Sequence, residues 1–137
     1  MYRKIMIPVD LAHKDKIGKA LDTGADLALH YKIPVCYVAV TSNAPGPMGH
    51  NPREFAQALA AFGEAEAARR GIETTTRAIL SHDPAVDLEK KLLGAIGETG
   101  SDLVVMASHI PNVADHIWPS NGGRVASHAD VSVLIVR

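Results

Sequence analysis

Asp102-Leu-Val-Val-Met-Ala-Ser-His109, then Pro119-Ser-Asn-Gly-Gly-Arg-Val-Ala-Ser-His-Ala-Asp130, then Val131-Ser-Val-Leu-Ile-Val-Arg137, reads as strand, loop, helix, strand. Residues 103–106 form a continuous apolar run, the mark of a strand buried on both faces, whereas a half-buried strand alternates. The run ends in small and polar residues and leads through a loop to a Ser-Asn helix start. This is the layout with which α/β proteins present free backbone amides to phosphates. Ile110 and Pro119 stand where glycine would serve such a loop best.

Two further apolar runs lie upstream: Ile5-Met-Ile-Pro-Val9, ended by Asp10, and Val35-Cys-Tyr-Val-Ala-Val40. Between the runs, apolar residues recur at helical spacing: Ile17, Leu21, Ala25 and Ala28; Phe55, Leu59 and Phe62; Leu88, Leu92 and Ile96. Asn51-Pro52 with Glu54 supplies an N-cap, a proline at the first helical position and a reciprocal carboxylate, and Arg69-Arg70-Gly71 ends that helix. Asp83-Pro84 is expected to open the next helix in the same way. Thr74-Thr-Thr-Arg-Ala-Ile79 interleaves β-branched polar residues and an arginine with apolar ones, as an edge strand does. Strands alternating with helices imply parallel strands joined by right-handed crossovers, hence an open, doubly wound five-stranded sheet with helices on both faces. The loop 41–50, with two prolines and two glycines, follows the second strand; it either overhangs a ligand site or is a solvated connection.

Composition narrows the class. With 137 residues the chain supports one hydrophobic core, and a single domain over 1–137 is expected. A net charge of -1 carries no electrostatic footprint for nucleic acid or an anionic membrane. Cys36, the one cysteine, sits in an apolar run, which points to a buried thiol in a reducing compartment. No signal h-region or membrane-length apolar run is present, and a cytoplasmic location is expected.

The ordered set Lys4-Ile-Met-Ile-Pro-Val-Asp10, Val38-Ala-Val40, Asp83-Pro84, Ala107-Ser-His109 with Pro111, Ser120-Asn121, Arg124-Val-Ala-Ser-His-Ala129 and Val131-Ser-Val-Leu-Ile-Val136 resembles the universal stress protein family. It is similar to the family's Ala-Ser-His-x-Pro loop version, within the adenine-nucleotide α-hydrolase-like group. The resemblance implies sheet order 3-2-1-4-5 and an adenine nucleotide, ATP or AMP, with Mg2+ as a possible companion. It implies that Pro8, Val9 and Asp10 meet adenosine, that Val40 meets adenine through its backbone, and that Met106 and Ala107 line the ribose. Ser108 and His109 would sit in the phosphate loop, with Ser120 and Asn121 offering side chains and amides at the helix start. The family's loop, Gly-x2-Gly-x9-Gly-(Ser/Thr), is altered here: Ala107, Ile110 and Pro119 replace its glycines, and residues 111–118 make the long spacer eight. Proline has no amide hydrogen, so one phosphate donor is missing. Pro119 also suits a first helical turn, which would leave the Ser120 and Asn121 amides to an anion.

Asp10 reads either as a ligand contact at the switch point between the first and fourth strands or as a helix-start cap. Ser120 carries the same two readings. Trp118 and Ile117 either shape the loop or are ordinary packing residues. Of the seven histidines, His109 and His116 could converge with Asp10 and Asp115, but no pair has zinc-motif spacing, so no metal is expected. His109 lacks partners in a recognisable catalytic order and is expected to pin the loop. Without a P-loop lysine or a Gly-x-Gly-x-x-Gly after a strand, Walker-type hydrolysis and dinucleotide redox chemistry find no support. Three functions follow: a protein binding an adenine nucleotide as a regulatory ligand in stress response, a dimeric interaction module whose phosphate site has closed, or a slow Mg2+-dependent nucleotide hydrolase without a dedicated base. The final strand, bare and apolar at Val131, Val133, Leu134 and Val136, would be covered by a second copy across a two-fold axis, giving a homodimer with a further protein partner unidentified.

Overall fold

The computed structural model describes residues 1–46, 48–108 and 121–137. Its strands are β1 (Ile5–Pro8), β2 (Val35–Thr41), β3 (Thr74–Leu80), β4 (Leu103–Ala107) and β5 (Ser132–Val136). Its helices are α1 (Gly18–Tyr31), α2 (Pro52–Arg70), α3 (Pro84–Thr99) and α4 (Asn121–His128), with a 3-10 turn over Leu11–Lys16. The sheet order is β3-β2-β1-β4-β5 and every pairing is parallel, the doubly wound order expected. The chain moves first to one side, through β1, β2 and β3, and then to the other. Right-handed crossovers therefore set α1 and α2 on one face and α3 and α4 on the opposite face.

Central strands and edges differ as the residue patterns require. β1 and β4 are buried at every residue, and β2 is buried from Val35 to Ala39, Cys36 included. β3 alternates between half-buried and exposed residues, and β5 nearly does, so both are edges. α1 lies close on β1 because Gly24 has no side chain: a Cβ there would collide with Ile7. α3 turns Leu88, Leu92, Ala95 and Ile96 into the core from the other face.

The helix ends refine two local expectations. Asn51 caps α2 by accepting from the Glu54 N–H at 2.9 Å, but the Glu54 carboxylate reaches the His50 N–H at 2.6 Å and not the cap's own amide. Gly71 closes α2 in the left-handed region, at φ 66°. At α3, Pro84 takes the first position and Asp83 the cap position, yet the Asp83 side chain makes no capping bond. Buried Ser81 does the local work in its place. Its Oγ accepts the Asp83 N–H at 3.2 Å and donates to Asp87 Oδ2 at 3.1 Å. The expectation of a capping Asp83 carboxylate is thus corrected, because a serine two residues upstream already satisfies the turn.

Candidate cleft at the carboxyl ends of the central strands

The sheet opens at its switch point. β1 pairs with β2 from Ile5↔Val35 through Pro8↔Val38, but with β4 only at Ile5↔Leu103 and Met6↔Val104. Beyond Met6 the two central strands part, and open α/β sheets place ligands in such crevices. The Val9 N–H extends the β2 side by donating to the Val38 carbonyl at 2.8 Å, which holds Val9 and Asp10 beside the end of β2.

A cleft of about 190 Å³ lies there, lined by Val9, Asp10, Val40, Thr41, Ser42, Pro84 and Leu88. Its walls are apolar at Val9, Val40, Pro84 and Leu88 and polar at Asp10, Thr41 and Ser42. That mix suits a flat, partly apolar ring held by a few convergent polar groups. β2 supplies Val40 and Thr41 from its last turn of the pleat, and α3 supplies Pro84 and Leu88 from its first two turns. The Ser81 N–H donates to the Thr41 carbonyl at 2.8 Å, tying the end of β3 and the entry to α3 to the cleft's rim. A larger groove, about 440 Å³, runs between the ends of α3 and α4 beside Ser101 and Val131. It lies at the amino ends of β4 and β5, away from the switch point, and the strand-end cleft is the stronger candidate.

Asp10 serves two ends at once. It is the N-cap of the 3-10 turn, its Oδ1 accepting from the Ala12 N–H at 3.1 Å, and it lines the cleft. Its Oδ2 faces His13 Nδ1 at 2.9 Å. The carboxylate remains about one-quarter exposed, and a carboxylate has more acceptor sites than two bonds consume. Capping and ligand contact, alternatives in the sequence, are therefore compatible in space.

Of the residues expected at the site, Val9, Asp10 and Val40 converge on the cleft. Pro8 does not line it: it is buried within β1, opposite Val38. Met106 and Ala107 are buried at the end of β4, paired with Ile135 and Val136 of β5, and they also lie outside the cleft lining. Ser108 follows β4, its N–H donating to the Val136 carbonyl at 2.9 Å. Asn121 opens α4. His109, Ile110, Pro119 and Ser120 lie outside the described residues, as do Asp115, His116, Ile117 and Trp118. Thr41 and Ser42 begin the 41–50 loop, which the sequence places either over a ligand site or in solvent; Pro84 and Leu88 were not anticipated. The Asp83-Pro84 helix start was the available signal, since a helix following a parallel strand begins at the strands' carboxyl ends. Among the described residues no group of three histidine, cysteine, aspartate or glutamate side chains could hold a metal ion. No described helix is long and apolar enough to cross a membrane.

Comparison with known proteins bears on this geometry. The model of the universal stress protein family matches residues 1–137. Universal stress protein G of Shigella flexneri is 26% identical over 148 residues, covering 100% of both chains. The crystal structure of a universal stress protein in complex with cAMP is similar with a TM-score of 0.71 and 17% identity, covering 99% of this chain and 97% of that one. The universal stress protein from Archaeoglobus fulgidus in complex with dAMP gives a TM-score of 0.67 at 17% identity, covering 99% and 98%. At that identity the two structures share the fold with this chain.

Proposed function

The chain belongs to the universal stress protein family, and from that premise we propose that its strand-end cleft binds an adenine nucleotide, ATP or AMP, as a regulatory ligand in the response to stress. One observation carries the reading: Asp10, Val9 and Val40 converge on a cleft at the switch point, with a carboxylate beside apolar walls. Support comes from structures of the same fold in complex with cAMP and with dAMP. Adenine lies between Val40 and Leu88, and the ribose lies toward Asp10. The phosphates point away from the base, and Mg2+ would accompany ATP. The ligand acts as a signal and not as a rapidly consumed substrate. The cytoplasm is the compartment this reading assumes, in keeping with a single buried thiol.

The test is release of small molecules from freshly purified, denatured protein, read by mass spectrometry, together with a thermal shift against AMP and against ATP with Mg2+. Bound nucleotide, or a rise of several degrees, supports the reading. Neither, at millimolar nucleotide, sinks it. Asp10→Ala should remove the shift, with the apo melting temperature measured alongside because the substitution also removes a cap.

A second reading rests on Pro119 and Ile110. Proline supplies no amide hydrogen, and loss of one donor to a charged acceptor weakens phosphate binding by about 1.5–3 kcal/mol. In this reading the chain is a dimeric interaction module, joined through β5, that has lost its nucleotide. Pro119→Gly separates the two: tighter ATP binding favours a weakened site, and continued absence of binding favours the module.

A further inference from the structure

We infer that His13 is a positioning residue for the Asp10 carboxylate and thereby sets how well the cleft recognises a ligand's ribose hydroxyls, an inference that rests on the nucleotide reading above. Asp10 and His13 are three residues apart across a 3-10 turn, where side chains at that spacing stand one above the other. The His13 N–H donates to the Asp10 carbonyl at 3.0 Å, closing the turn on itself. At His13 the backbone leaves helical values, with φ -131° and ψ 32°, and the imidazole faces back to Asp10.

A carboxylate can only accept, so Nδ1 carries the proton that faces Oδ2 at 2.9 Å. The Ala12 N–H takes Oδ1. Donors on both oxygens fix the plane of the carboxylate, which a cap bond to one oxygen would leave free to turn. The lone pairs left over then have a set direction at the cleft wall, where a ribose diol would donate to them. A carboxylate held in place before the ligand arrives loses no rotamer freedom on binding, and freeing it weakens the contact by roughly three- to tenfold. His13 is itself outside the cleft lining, so it acts through Asp10.

Isothermal titration with AMP and with its 2′,3′-dideoxy analogue tests this in wild type, His13→Ala and His13→Asn. His13→Ala should weaken AMP by about three- to tenfold and leave the dideoxy analogue within about twofold, so the preference for the diol collapses. His13→Asn, whose side-chain amide can replace the Nδ1–H donor, should restore most of that preference. An equal loss for both ligands in His13→Ala marks a merely structural role and overturns the inference. An unchanged preference overturns it too. If wild type binds neither ligand, the nucleotide reading falls and this one with it; if AMP binds but the preference ignores residue 13, only the role of His13 falls.

Discussion

Replacing Tyr37 by phenylalanine should make the protein more stable. Tyr37 stands in the middle of β2, fully buried, its ring edge-on to Phe62 at 5.1 Å. Among the described residues its hydroxyl has no hydrogen-bond partner. A buried hydroxyl left unsatisfied costs about 1–3 kcal/mol, so Tyr37→Phe, which keeps the ring and drops the oxygen, should gain roughly 1 kcal/mol. With an unfolding entropy near 2.1 cal/mol/K per residue over 137 residues, that corresponds to about 3–4 °C in Tm. Burial, and after it the charge of Glu66, push the phenol up from 10.0 to about 12, against the opposing pull of Arg70 and Arg69. A raised pKa for an acid that is neutral when folded means stability that is whole below pH 10 and drains away as pH climbs through 12. At pH 11 the loss from this one group reaches at most about 1.4 kcal/mol. Urea unfolding followed by circular dichroism at pH 8 and pH 11 reads both effects, since the two proteins differ by this one hydroxyl. The advantage of Tyr37→Phe should widen from pH 8 to pH 11. A variant less stable than wild type at pH 8, or a gap that stays constant across that range, would refute the reasoning.

Three other outcomes are expected. Glu66, 6% exposed, accepts from Arg69 Nη2 at 2.9 Å and from Arg70 Nε, while Arg70 Nη1 also reaches Asp22 at 2.6 Å; Glu66→Ala leaves the half-buried Arg70 with Asp22 alone and should cost about 3 kcal/mol in urea unfolding. Burial raises the Asp102 carboxyl, but the Lys4 and Arg3 N–H donors outweigh it and hold the group below the usual carboxylate range, so its contribution is present above about pH 4 and lost as pH falls further. Asp102→Asn should cost no more than about 1 kcal/mol at pH 7, since the site is solvent-screened, with the difference shrinking in acid below pH 4; a constant difference down to pH 2 would show the carboxylate's charge to be irrelevant. Light scattering should read a dimer for wild type and a monomer for Val133→Lys on the β5 edge, and an unchanged dimer mass would move the interface elsewhere.

What could be read from the sequence is what neighbouring residues decide. β1, β2 and β4 were legible because strands buried on both faces must be apolar without a break, and β3 because an edge strand alternates. The Asn51 cap and the Gly71 stop were legible because their partners lie within four residues. The 3-10 turn over Leu11–Lys16 was not, since Lys14, Asp15 and Lys16 show no apolar period and the turn is made by Asp10's side chain reaching forward. Nor was the Asp22, Glu66, Arg70 and Tyr37 cluster, which joins α1, α2 and β2 across 48 residues of chain between Asp22 and Arg70. Asp102 opened the most informative stretch of sequence, yet its work, holding the Arg3 and Lys4 amides at the entrance to β1, spans 99 residues from Arg3.

The cleft shows the same division. Asp10 was identifiable because it ends a run of apolar strand residues, where a parallel sheet presents its carboxyl edge, whereas Val9 and Val40 were indicated by the family resemblance. Pro84 and Leu88 enter only through the crossover from β3 to β4, which carries the first turns of α3 over the ends of β1 and β2. A base in the proposed site would therefore meet apolar walls from two sides, strand ends and helix start, and would be joined at Asp10 by a carboxylate that Ala12 and His13 already contact. The phosphate loop that the family resemblance implies is poorer by composition, because proline at 119 has no amide hydrogen and isoleucine at 110 replaces a glycine. If the proposed nucleotide site holds, its affinity is weighted toward the nucleoside. On that reading AMP and ATP should bind with similar affinity in isothermal titration, and a marked preference for ATP would show that the phosphate side contributes after all.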